Sequence, residues 1–160
     1  MATRNKKELI LIELNNYLSN LEIWGIVAGF GSLFYIHIGE KIKREQIIPN
    51  NKLLPLLREY EGFYMIGVMC GWRLEKKDKI ILSHIQDEAK YITPGLSKHL
   101  IGQNILAIKE IPNSVGLSIS VTDDITLTLF YDSIEGSNWV FFKEGDFYCG
   151  MDKLKLKVKK

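Results

Sequence analysis

The 160-residue chain has few of the residues on which small-protein chemistry usually rests: two cysteines, three histidines and four prolines. Two cysteines, Cys70 and Cys149, do not make a disulfide framework in a chain of this length. Both sit among apolar neighbours, which describes inert buried thiols in a reducing compartment; a single bridge would need the two on facing strands. The histidines, His37, His84 and His99, are scattered. None lies in H-x-x-x-H or has a cysteine at zinc spacing, so no metal site can be written. There is no G-x-S-x-G, Walker or dinucleotide-binding glycine pattern. No catalytic residue, cofactor or metal is expected, and the expected class is not an enzyme.

Long apolar runs are also missing. The segment IWGIVAGFGSLFYIHIG, Ile23 to Gly39, carries no formal charge and is at the lower length limit for a membrane helix. Its glycines, Ser32 and His37 argue against a span, and GFGS reads as a turn between two strands. The start of the chain, MATRNKKELI, lacks the apolar stretch of a secretory signal, so the expected location is cytoplasmic.

Excess charge of one sign is absent overall, at a formal +2, but the balance is uneven. The last eight residues, KLKLKVKK, hold five lysines, and without them 16 basic side chains face 19 acids. Phosphate binding spreads Lys and Arg over a face, so a basic tail on a mildly acidic body does not point to nucleic acid.

What is present is the composition of a folded domain, 46% hydrophobic and 25% charged, with length for one substantial core. The expected fold class is α+β: mainly antiparallel β, two tandem β-meanders forming one sandwich or barrel-like core, with an N-terminal helix and a short linking helix. Residues 5–20 form the N-terminal helix, capped by Asn5 with Glu8 at capping-box spacing, followed by Leu9, Ile12, Leu14, Tyr17, Leu18 and Leu21. The first meander covers 23–92, with a surface excursion at 41–62 marked by Pro49 and Pro55. Residues 93–102 form the linking helix, with Thr93 as cap, Pro94 at its first position and Gly102 as stop. The second meander covers 103–152, and 153–160 is a lysine-rich edge strand or a tail.

The clearest strand pair is GLSISVTDDITLTLFY, Gly116 to Tyr131. Leu117, Ile119 and Val121 alternate with serines, and Ile125, Leu127 and Leu129 alternate with threonines. Keeping both apolar rows on one face pairs Val121 with Ile125, Ile119 with Leu127 and Leu117 with Leu129. The loop is then Thr122-Asp123-Asp124.

Two further hairpins share a pattern. WRLEKKDKIIL turns at Lys76 to Lys79, and WVFFKEGDFYC turns at Lys143 to Asp146, with Gly145 free to take positive φ. Each opens on a tryptophan, Trp72 or Trp139, preceded by an apolar strand, so an internal pseudo-repeat is expected. The two rings are read as core filling before stacking platforms.

The polar cluster SHIQDE places His84 near Asp87 and Glu88. As an acid/base pair, His84 and Asp87 would serve a ligand-binding or hydrolase-like β cavity. Trp72, Arg73 and the lysine tail would serve nucleic-acid binding. A third class, protein binding, would use the loop acids Asp87, Glu88, Asp123 and Asp124 to steer a basic partner. A homo-oligomer stays open.

The stretch YMIGVMCGWRLEKKDKIILSHIQDE resembles a group of small uncharacterised bacterial proteins. So does the later LIGQNILAIKEI, ITLTLFYDS and SNWVFF. The matching positions are Cys70, Trp72, Arg73, Leu74, Ser83, Asp87, Leu100, Gly102 and Trp139, spread loosely over Gly62 to Met151. Val140 replaces the arginine that follows the first tryptophan. Such proteins are similar in size and style to immunity proteins, and the resemblance implies occlusion of a toxin with no catalytic motif.

Overall fold

The computed structural model describes residues 5–29, 33–84, 89–112, 116–130, 137–152 and 155–160. Helix α1 (Lys6–Leu18) begins where the sequence caps it, the Asn5 side chain accepting from the Glu8 amide at 2.9 Å. Ile10, Leu14 and Leu18 are its buried stripe. Strands β1 (Ile23–Ala28), β2 (Phe34–Lys43) and β3 (Tyr60–Val68) follow as a meander, interrupted by a short helix α2 (Pro55–Glu59). Strands β4 (Gly71–Lys76) and β5 (Lys79–Ser83) form the first tryptophan hairpin. Helix α3 (Ala89–Leu100) leads to β6 (Ile105–Glu110), β7 (Leu117–Val121) and β8 (Ile125–Phe130). Strands β9 (Ser137–Lys143) and β10 (Asp146–Asp152) make the second tryptophan hairpin, and β11 (Lys155–Val158) closes the chain.

The fold is α+β with two antiparallel sheets, of order β1-β2-β3-β9-β10-β11 and β5-β4-β8-β7-β6. Their inner faces share one core. Phe34 of β2 meets Trp72 of β4 edge-on across it, with ring centroids 5.3 Å apart. The β7–β8 register is the one the alternation requires, Val121 opposite Ile125 through Leu117 opposite Leu129. Asp123 and Asp124 take positive φ in the intervening loop, a conformation Asp tolerates better than most residues. The lysine-rich C-terminus is an edge strand: β11 pairs with β10, and Leu156 and Val158 pack against the core beside exposed lysines.

The helix before β6 differs from its expected bounds. It spans Ala89–Leu100, so Thr93 is not its cap and Pro94 lies inside it. Five further residues at its start, and buried Ile92, Leu96 and Leu100, outweigh the preference of proline for the first position.

The chain carries one α-β5 unit twice, and the two copies trade their hairpins. Hairpin β4–β5 of the first unit joins the sheet of the second, and β9–β10 of the second joins the sheet of the first. Trp72 stands opposite Leu129 and Trp139 opposite Val68, the same register in each sheet. The helices repeat with them: Ile10, Leu14 and Leu18 correspond at constant spacing to Ile92, Leu96 and Leu100, all buried. After each helix one residue, Asn20 or Gly102, adopts positive φ. Its amide bonds to the first strand of the other unit, Asn20 to the Ile105 carbonyl at 2.7 Å and Gly102 to that of Ile23 at 2.8 Å. The bridge between Glu22 and Asn104 lies on the pseudo-two-fold. Even the bulges recur, in β1 and β6, and in the β4–β5 and β9–β10 pairs.

Where the units differ, the difference is local. Asn15 of α1 lies on the outer edge of β6, its amide nitrogen donating to the Ile108 carbonyl at 2.7 Å and its oxygen accepting from the Ile108 amide at 2.8 Å. This side chain substitutes for a neighbouring strand. Asn15→Ala is expected to destabilise the fold by about 2 kcal/mol, since two main-chain groups lose partners. Equilibrium urea unfolding measures it, and a loss near zero would mean that the edge is solvated without Asn15.

Candidate interaction surface

Strand alternation gives each sheet an inner and an outer face, and the internal repeat allows the two outer faces to be compared position by position. On the five-stranded sheet one outer row reads Lys109, Ser118, Thr128, Arg73 and Ser83. Its equivalent on the six-stranded sheet reads Val27, Tyr35, Gly67, Val140 and Gly150. The next outer row is Ala107, Ser120, Thr126, Glu75 and Ile80 on the first sheet, and Gly25, His37, Met65, Phe142 and Phe147 on the second. One outer face is thus largely hydroxyl-bearing and charged, with Ser83 and Thr128 buried in it; the other is aliphatic and aromatic.

The glycines flatten the apolar face. A Cβ at Gly67 would stand 3.1 Å from the Tyr35 ring, and one at Gly150 would stand 3.0 Å from Val140, so these side chains lie over the bare backbone. Tyr35 and Phe142 face each other with centroids 6.5 Å apart. Tyr35, Met65, Val140 and Phe142 are all partly exposed, and Phe147 is 37% exposed.

The excursion is shorter than its expected bounds of 41–62, because β2 and β3 stay paired through Lys43 and Tyr60; the intervening 44–59, with α2, covers one end of this face. A Cβ at Gly25 would come 2.7 Å from Leu57 of α2 and 3.3 Å from His37, so α2 is seated directly over β1 and β2. Arg44 ties the excursion down through the Leu57 carbonyl at 3.3 Å and the Glu61 carboxylate at 3.0 Å. Beneath it, His37 accepts from the Gly62 amide at 2.9 Å and packs against Trp24. Burial, reinforced by the nearby Arg44 charge, lowers the His37 pKa to about 4, so the ring is neutral near pH 7. The excursion also leaves large apolar side chains in solvent: Leu54 is 69% exposed, Ile47 57% and Leu56 42%.

Beyond Phe142 the face ends in an open groove of about 440 Å³. Glu61 of β3 stands in its wall, beside Glu45, Glu144 and Asp146. A second open groove, of about 470 Å³, lies at the turns of the five-stranded sheet between Glu75, Lys77, Asp78 and Asp124.

The residues singled out from the sequence fall elsewhere. Asp87 and Glu88 lie outside the described residues. Asp123 and Asp124 sit in the β7–β8 loop of the other sheet, where Lys76 bonds Asp123 at 2.6 Å and holds its carboxyl below the usual range. The His84 Nδ1 takes the Trp72 amide at 2.9 Å; its supposed acid/base partner, Asp87, is outside the described residues. Trp72 and Trp139 are in the core at 0% and 2% exposure, so neither ring offers a stacking platform. Cys70 and Cys149 are buried and unbridged, and burial pushes the Cys149 thiol up to about 12. Among the described residues no His, Cys, Asp and Glu group suits a metal ion, and no helix is long and apolar enough to cross a membrane.

The apolar outer face leaves a signal in the sequence. Phe63 to Val68 and Trp139 to Phe142 are apolar at both parities, whereas β7 and β8 alternate cleanly. A strand apolar on both sides must be covered on both sides. No family model, curated protein or solved structure matches the chain.

Proposed function

We propose that this protein is a non-enzymatic protein-binding module of the immunity type, which covers the working surface of a partner with the outer face of its six-stranded sheet. The observation that supports it is the contrast between equivalent faces: Tyr35, Met65, Val140 and Phe142 stand where the other unit carries Ser118, Thr126, Arg73 and Glu75. Both sheets need the same inner packing, so architecture alone does not call for aromatics on one outer side. Rigid aromatic side chains on a flat, preformed surface are the usual anchors of protein recognition. The resemblance to small immunity-like bacterial proteins and the cytoplasmic setting belong to the same reading.

The repeat supplies its own test variants. Tyr35→Ser and Phe142→Glu install the residues that the five-stranded sheet tolerates at the same positions. Each is expected to weaken the partner that the wild-type chain retains from its source cell extract by about tenfold or more, with circular dichroism and melting temperature nearly unchanged. Affinity equal to wild type in both variants would sink the proposal.

A further inference from the structure

We infer that the partner presents a basic side chain, arginine or lysine, beside apolar ones, and that the groove at the end of the apolar face receives it. This rests on the protein-binding reading above and adds the chemistry of the occupant. Gly67 and Met65 are outward residues of β3, and those of β9 run through Val140 and Phe142 to the Glu144-Gly145 turn that lines the groove. A segment lying along Met65 and Phe142 therefore reaches the groove without a change of direction.

Part of the charge at the groove is already paired. Four carboxylates, Glu45, Glu61, Glu144 and Asp146, line the groove with Lys43 and Arg44. Arg44 is committed to Glu61 and to the Leu57 carbonyl. Lys159 reaches Asp146 at 3.0 Å, an exposed pair of little strength. Lys43 is exposed on the same wall. Glu45 and Glu144 are exposed and have no basic partner among the described residues. Glu45 comes from the excursion and Glu144 from the β9–β10 turn, so two separate segments each bring a carboxylate to the groove. A guanidinium bound in the groove would have carboxylate acceptors from both segments, the forked recognition in which arginine excels.

Gly145 keeps the groove open. At φ +80 it holds the turn, and a Cβ there would stand 3.1 Å from the Glu61 carboxylate. The apolar floor of Ile42 and Ile48 suits the methylene stem of a long basic side chain, leaving its charge at the carboxylates.

The probe is a library of short linear peptides displayed on phage and panned on the immobilised full chain. Enriched sequences should share an arginine or lysine next to aromatic or aliphatic residues. The synthetic consensus peptide should bind about tenfold more weakly when its arginine is replaced by citrulline, and likewise to the Glu45→Lys/Glu144→Lys variant; that loss corresponds to one charge-assisted contact. Wild-type affinity should fall as salt rises, and that of the double variant should fall less. Peptides without a basic residue, or binding that Phe142→Glu destroys and Glu45→Lys/Glu144→Lys leaves intact, would overturn the basic-partner inference and leave the apolar docking face standing. Peptides indifferent to both variants, or no enrichment at all, would overturn both.

Discussion

Truncation of either Trp72 or Trp139 to alanine is expected to destabilise the protein by about 3–5 kcal/mol, the range for a large aromatic removed from a close-packed core. The two rings are among the largest fully buried side chains, and each stands where a strand of one unit enters the sheet of the other. Losing one therefore opens a cavity between the units. Since a domain of this size has only about 5–15 kcal/mol of stability, either variant should consume a large share of it. Urea unfolding followed by tryptophan fluorescence and far-ultraviolet circular dichroism should show one cooperative transition, displaced by a similar amount in both variants. Two separated transitions would mean that the halves unfold independently, against the exchange of hairpins between them.

The second large effect concerns pH. His37 is 2% exposed and titrates at about 4 in the fold, against 6.5 for an ordinary histidine. Between these values the unfolded chain binds a proton that the folded chain refuses, so stability falls as pH drops. It is fully present above about pH 6.5 and is lost progressively toward about pH 4. A difference of this size corresponds to about 3 kcal/mol at completion. His37→Gln retains an acceptor for the Gly62 amide and removes the titration. Wild type minus variant stability, measured across that window, should decline with falling pH; a flat difference would show that the ring is solvated or protonated where it stands.

The parts of this fold that could be read from the sequence are those where local chemistry and tertiary demand agree. Asn5 caps α1, the alternation in β7 and β8 sets their register, and both tryptophan hairpins turn where the charged residues cluster. Gly145 takes the positive φ that its turn needs, but Lys77, Asp78 and Glu144 take it as well without being glycine. The start of α3 was harder, because Pro94 looks like a first-turn residue although the helix begins at Ala89. The exchange of hairpins was not legible at all. Nothing in Met69 or Cys70 states that the chain leaves one sheet for the other there, since an apolar strand reads the same in either.

The candidate surface shows the same division. Acids in loops are conspicuous in a sequence, which is how Asp123 and Asp124 came forward, yet Asp123 is engaged by Lys76 in the fold. The carboxylates bordering the apolar face, Glu45, Glu61, Glu144 and Asp146, come from separate segments that only the sheet order brings together. Tyr35, Met65, Val140 and Phe142 were likewise hidden in runs that read as core. A strand pattern reports that both sides are apolar; only the arrangement of layers reports that one of those sides has no layer over it.

The most direct measurement places a photo-cross-linking benzoyl-phenylalanine at position 142 and, in a separate variant, at the equivalent position 75 of the other sheet. Irradiation in the source cell extract should give one discrete protein adduct from position 142 and none from position 75. An adduct from position 75 alone, or none from either, would contradict a docking surface on the six-stranded sheet.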